Sequence, residues 1–141
     1  MSSVSYDNNT FKRSFSVCHL NIRSILSTSD GGPSRFDLLC DFVTKQNDFE
    51  VIALTETHID NSVDSSLIEI EGYHLFRKDR NRAGGGVVLY VRSSLNPKLL
   101  FNTDTYSSES IFVKAHIGNK SVTVGVCYRP PNQSSSDRED F

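Results

Sequence analysis

The sequence predicts a mixed α/β fold, a mostly antiparallel sheet with one covering helix. Three observations predict it. An apolar strand, a helical stripe and a second apolar strand follow one another between Phe15 and Leu54, which makes a β-helix-β unit. Residues 111–128 then alternate apolar and polar on either side of Gly118-Asn119, the pattern of a hairpin. Two other runs, 51–54 and 87–91, are apolar throughout, as expected of strands covered on both faces.

In order, residues 1–14 are rich in Ser and Asn and read as a disordered lead-in. Phe15 to Leu20 is the first strand. Residues 24–33 form a Ser/Gly/Asp loop. Ser34 then caps a helix, with Asp37 three residues on as its reciprocal partner. Phe36, Leu39, Cys40 and Val43 make the apolar stripe, and the helix ends near Asn47. After the strand at 51–54, residues 55–72 are mostly loop, with room for a short turn or helix within 62–70. Tyr73 to Arg77 is a strand, 81–85 a turn and 87–91 a strand, and Asn96-Pro97 marks a break. The hairpin 111–128 ends at Pro130-Pro131, and the acidic, Ser-rich residues 133–141 read as a tail. The sum is about six strands and one helix in a single domain over residues 15–132.

Composition narrows the function. The 141 residues carry 15 basic and 17 acidic side chains, a net charge of −2, so no global basic field marks a polyanion binder. Contact with phosphate must come from a local patch or a bound cation. Cys18, Cys40 and Cys127 are odd in number and lack metal spacing. They are expected as buried free thiols in a reducing, intracellular setting, nuclear or cytoplasmic. No apolar run is long enough to span a bilayer, and the start lacks a secretory core, so no membrane partner is expected. The sequons at Asn8, Asn119 and Asn132 are then chance matches.

Three strands end on a polar residue that continues an apolar face. Side chains alternate with period two, so Asn21 shares a face with Phe15 and Val17, Glu56 with Ile52 and Leu54, and Tyr128 with Val124 and Val126. If those faces point inward, an amide, a carboxylate and a phenol meet at the rim of one core. Glu56 is a hard oxygen donor suited to Mg²⁺, which takes one or two carboxylates plus phosphate oxygens and water. Each residue also has a plainer reading: a solvated Glu, a turn-forming Asn, a half-buried core Tyr. Arg77, Lys78, Arg80 and Arg82 crowd one stretch, a guide for a polyanion or a solvated basic turn. Gly84-Gly85-Gly86 follows, which indicates unusual backbone angles or the close approach of another segment. His19, His58, His74 and His116 show no ligand spacing. His19 lies on the face of Asn21, where it could support that side chain from behind.

The strings Leu20-Asn-Ile-Arg-Ser24, Val51-Ile-Ala-Leu-Thr-Glu-Thr57, Gly72-Tyr73, Asp79-Arg80 leading into Gly85-Gly-Val-Val-Leu-Tyr-Val91, and Tyr128-Arg-Pro-Pro-Asn132 occur in this order. Together they resemble the endonuclease domain of non-LTR (LINE-type) retrotransposons, within the endonuclease/exonuclease/phosphatase superfamily. The resemblance implies an α/β sandwich of the DNase I-like type, here incomplete. It implies Mg²⁺-dependent (or Mn²⁺-dependent) hydrolysis of a DNA phosphodiester, nicking a target site, with a reverse transcriptase domain in a longer parent protein. It implies that Glu56 and Asn21 hold the metal, that Asn21, Glu56 and Tyr128 act in catalysis, and that Arg129 joins the basic stretch in touching nucleic acid. The family's later motifs, an Asp-x-Asn and a closing Asp-His pair, have no match, His58 stands where many relatives have Trp, and Pro131 stands where related enzymes often have Asn. The chain is therefore expected to be a piece of the domain, weak or inactive alone. The alternatives are a non-catalytic remnant that binds nucleic acid or protein, and a phosphatase of the same superfamily.

Overall fold

A computed structural model describes residues 15–46, 49–105 and 108–131, with the backbone alone for 103–105. The expected lead-in and tail lie outside these residues. Among the described residues, seven strands form two sheets and one α-helix accompanies them. The first sheet runs β1-β2-β4-β3, with β1 Val17–Asn21, β2 Val51–Thr55, β3 Tyr73–Lys78 and β4 Val87–Arg92. The second is the meander β5-β6-β7, with β5 Lys98–Thr105, β6 Ser108–Ile117 and β7 Lys120–Tyr128.

The β-helix-β unit forms as the sequence dictates. β1 pairs with β2 in parallel, Val17 beside Val51 through Asn21 beside Thr55. The crossover carries α1, Arg35–Gln46, and Asn47 lies outside the described residues. Its first turn is closed reciprocally: the Asp37 amide donates to Ser34 Oγ at 3.0 Å, and the Ser34 amide donates to Asp37 Oδ2 at 2.9 Å. The bonds that the Ser34 amide and hydroxyl donate to the Asp37 carboxylate hold it below the usual carboxylate range.

The central strands feed two cores. Ile52, Leu54, Val88 and Tyr90 face α1 and pack with Leu39 and Val43. Their alternates Val51, Ala53, Val87, Leu89 and Val91 face the second sheet and pack with Ile111, Val113, Ala115 and Val126. This is why 51–54 and 87–91 are apolar throughout. Burying each Val, Leu or Ile contributes about 1.5–3 kcal/mol. Tyr90 is fully buried, and its hydroxyl donates to the Ile68 carbonyl at 2.6 Å.

β7 lies over β2 and β4, and β6 over β4 and β3. The outer edges of β1 and β7 therefore fall on the same side of the sandwich. The hairpin turn at Gly118-Asn119 joins Ile117 to Lys120, with Gly118 at φ 57. The loop expected at 62–70 contains a short 3₁₀ turn, Ser65–Ile68.

The structure corrects several expectations. β5 is a strand the sequence did not announce. The thiols are free but not buried: Cys18 and Cys40 are half-buried, and Cys127 is exposed because it points away from the Val126 face. There are two cores instead of one, so the face of Ile52 and Leu54 is not the face of Val124 and Val126. The face carrying Asn21 is not an inward apolar one either, since Val17 at its far end is 55% exposed.

Candidate active site

Strict alternation would send Glu56 toward the helix and Tyr128 into the space between the sheets. The backbone prevents this divergence. Extended geometry stops at Thr55, and Glu56 adopts a left-handed φ of 56. Its side chain turns to meet the second sheet, where the Tyr128 hydroxyl donates to Glu56 Oε1 at 2.6 Å across 72 residues of sequence. The Asn21 amide also acts on the same carboxylate, and Arg23 Nε lies 3.8 Å from Oε2. The three residues chosen from strand ends converge, but through a kink that alternation did not foresee.

The loops around the kink share the left-handed geometry. Arg23, Ser24 and His58 have φ of 45, 76 and 53. Non-glycine residues hold such angles only where the surroundings over-determine them, and such residues cluster at functional sites. Here the Ser24 amide donates to the Glu56 carbonyl at 2.8 Å, and Ile25 donates to Thr57 at 3.0 Å, which continues the β1–β2 ladder past the strand ends. Arg35 of α1 reaches back to the Ile22 carbonyl at 3.0 Å and also donates to the Arg23 carbonyl.

The triple glycine supplies the close approach. Gly85 and Gly86 have φ of 67 and 89. A Cβ on Gly86 would stand 2.4 Å from Thr57 Oγ1, and one on Gly85 would stand 2.4 Å from Arg80 Cδ. The turn before them forms on Asn81, whose Oδ1 accepts from the Ala83 and Gly84 amides at 2.9 and 3.0 Å.

Electrostatics give the two central groups opposite leanings. The Tyr128 hydrogen bond, helped by Asn21 and the Arg23 charge, holds the Glu56 carboxyl below its ordinary range against the opposing effect of desolvation. Burial, then the bond to Glu56 and its negative charge, pushes the Tyr128 phenol up to about 12. Glu56 is thus an anion and Tyr128 a neutral donor around pH 7. Arg80 also acts on Tyr128, in the opposite direction.

The basic stretch divides. Arg77 is consumed by structure: it pairs with Asp79 at 2.6 Å and donates to the Val63 and Asp60 carbonyls at 2.8 and 3.0 Å. With 16% of its side chain exposed, it is a staple of the 60–65 loop and not a hand held out to a polyanion. Lys78 and Arg129 are half-buried, while Arg80 and Arg82 are exposed, Arg80 beside the site. His19 contacts Thr55 Oγ1 at 3.3 Å, next to Asn21 but directed at β2. His74 pairs with Ser93 Oγ at 2.8 Å, and His116 is exposed.

One residue near the site was not anticipated. Glu109, at the start of β6, is 6% exposed and directly opposite Tyr128. Its Oε2 accepts from the Gly86 amide at 2.6 Å, and Oε1 lies 3.7 Å from Arg80 Nε. Ser108-Glu109-Ser110 reads as a polar loop, yet Glu109 has the parity of Ile111, Val113 and Ala115. Extending that alternation two residues would have found it.

The donor set around Glu56 is hard and oxygen-rich: a carboxylate, an amide and a phenol. Among the described residues no group of three His, Cys, Asp or Glu forms a cage. That chemistry fits Mg²⁺, which keeps several waters and takes one or two carboxylates with substrate phosphate, better than it fits a structural metal. Among the described residues no helix is long and apolar enough to cross a membrane.

Comparison with known proteins bears on the fold and the family. No match was found among curated proteins. The catalytic domain of human Nocturnin, solved with a bound sulfate anion, superposes with a TM-score of 0.59 at 12% identity, over 86% of this chain and 52% of that one. The chain thus spans about half the length of that domain and shares its mixed α/β sandwich. The endonuclease/exonuclease/phosphatase family model matches residues 18–141, nearly the whole sequence, and the chain belongs to that family.

Proposed function

We propose that this chain carries the metal- and phosphate-holding part of a Mg²⁺-dependent DNA endonuclease of the non-LTR retrotransposon type. The observation that supports it most is the Glu56 carboxylate, gripped by Tyr128 at 2.6 Å, with Asn21, Arg23 and Arg80 beside the pair. The string resemblance at 20–24, 51–57 and 128–132 favours the retroelement branch over a phosphatase.

Glu56 and Asn21 would hold the ion. Bound there, a divalent cation supplies positive charge to the phosphoryl oxygens and to a coordinated water. The chain's own residues do the rest. Tyr128 stays protonated, so its hydroxyl is a donor, first to Glu56 and then to a non-bridging phosphate oxygen. Arg23 and Arg80 neutralise the backbone charge of a DNA strand lying over the strand ends. Asn21 orients the carboxylate through its amide. The family's Asp-x-Asn and closing Asp-His motifs, which would supply a positioned base, have no match in the sequence. Loss of a positioned base costs about 10²–10⁴-fold, so binding should be intact and cleavage by this chain slow.

Nicking of supercoiled plasmid in Mg²⁺ tests the reading, together with Mn²⁺ titration followed by NMR line broadening. The expected result is broadening centred on residues 21, 56 and 128, with slow nicking that Glu56→Ala and EDTA both abolish. Metal and DNA binding with no nicking would favour the non-catalytic remnant. Broadening elsewhere, or nicking that survives Glu56→Ala, overturns the proposal.

A further inference from the structure

We infer that Glu109 is a positioning residue: its buried carboxylate fixes the Gly85-Gly86 backbone and, through it, the left-handed turn that presents Glu56. The inference rests on Glu56 being the reactive carboxylate.

The linkage is continuous. Glu109 Oε2 accepts from the Gly86 amide at 2.6 Å. The Gly86 carbonyl accepts from the Thr57 amide at 3.3 Å, and the Gly85 carbonyl from the His58 amide at 3.0 Å. Thr57 and His58 are the two residues after Glu56, and His58 shares its left-handed φ. A charged acceptor makes the strongest of these bonds and sits at the head of the series. It does so from β6, in the second sheet, so the conformation at the end of β2 is held from outside its own sheet.

The glycines make the grip close. A Cβ on Gly85 would stand 2.7 Å from Glu109 Oε1, and a Cβ on Gly86 would displace Thr57 Oγ1. Bare backbone at both positions lets the carboxylate on one side and Thr57 on the other touch the same two peptides. Arg80, 3.7 Å from Glu109 Oε1, balances the buried charge and lies beside Tyr128. Glu109 is also the direct cross-strand partner of Tyr128, so one residue sets the distance between both halves of the Glu56–Tyr128 contact.

The test uses the whole ¹⁵N-labelled chain as wild type, Glu109→Leu and Glu109→Gln. Leu removes the acceptor, whereas Gln keeps shape and an acceptor oxygen. In Glu109→Leu, amide exchange at Thr57 and His58 should quicken about tenfold or more while Val51 to Leu54 stay protected. The Mn²⁺ dissociation constant should rise about tenfold alongside. Glu109→Gln should restore most of both. Should the Leu variant not fold, Glu109→Gln decides alone: the Gly86 amide proton moves upfield as a charged acceptor becomes neutral, and Thr57 and His58 exchange about twofold faster. An unmoved Gly86 resonance, unchanged protection at Thr57 and His58, or equal loosening of 51–54 overturns the inference. Local loosening with unchanged Mn²⁺ affinity overturns it as well, since Glu109 is then structural only. If wild type does not bind Mn²⁺, the proposed function fails, while the exchange measurements still decide the role of Glu109.

Discussion

Two glutamates flank β2, and they differ in every respect that matters. Glu50, just before the strand, is 2% exposed, and its Oε2 accepts from the Ser16 backbone amide at 2.7 Å. Its own amide and carbonyl join the neighbouring chain segments at Ser16 and Arg92. Glu56, just after the strand, sits on a left-handed backbone, is more exposed, and is met by side chains from β1, the loop after it, and β7. A buried carboxylate on ordinary backbone closes a structure. A carboxylate ringed by side chains on costly backbone can exchange those partners for a ligand. Position relative to a strand does not separate the two; conformation and burial do.

Substitutions can break this contrast or sharpen it. The largest effect should come from Gly86→Ala, which places a Cβ 2.4 Å from Thr57 Oγ1 on a backbone with φ of 89. A loss of about 2–4 kcal/mol is expected in urea unfolding, with the Glu56 end disordered first. Next, Glu50→Ala leaves the Ser16 amide without this acceptor and should cost about 1–3 kcal/mol with no change in Mn²⁺ binding. If Glu50→Ala abolished metal binding instead, the division into a structural and a reactive acid would be wrong. Third, Glu56→Gly should remove metal binding with little change in stability, because relief of the left-handed angle offsets the lost Tyr128 hydrogen bond. Thermal melts beside Mn²⁺ titration would show it. Smallest, Tyr128→Phe removes one hydrogen bond to a charged acceptor and should cost about 1 kcal/mol in the same unfolding experiment. The Glu56 carboxyl, losing the main cause of its depressed pKa, should then titrate at a higher pH in ¹³C NMR.

Much of the fold was legible. The Ser34–Asp37 box, the fully apolar strands 51–54 and 87–91 and the Gly118-Asn119 turn are local signals, and the chain obeys them. β5 was missed because it is an edge strand with a register shift between Leu99 and Phe101. Leu99, Leu100 and Phe101 remain about half exposed, so no alternation marks it. The convergence of Asn21, Glu56 and Tyr128 was expected from a face argument whose premise was wrong. The kink that rescues it depends on distant partners, Glu109 and the glycines, and no window around residue 56 contains them. Arg77 was misread for a related reason. A cluster of basic residues looks alike whether its members reach solvent or bind carbonyls from a loop folded back on them.

Asn21 and Tyr128 hang from the outermost strands, β1 and β7, each laddered on one flank only among the described residues. Glu56 extends from β2, which is held on both flanks. Peripheral ladders come apart before interior ones. Warming should therefore undo the grip finger by finger, the amide and the phenol letting go while the acid keeps its post.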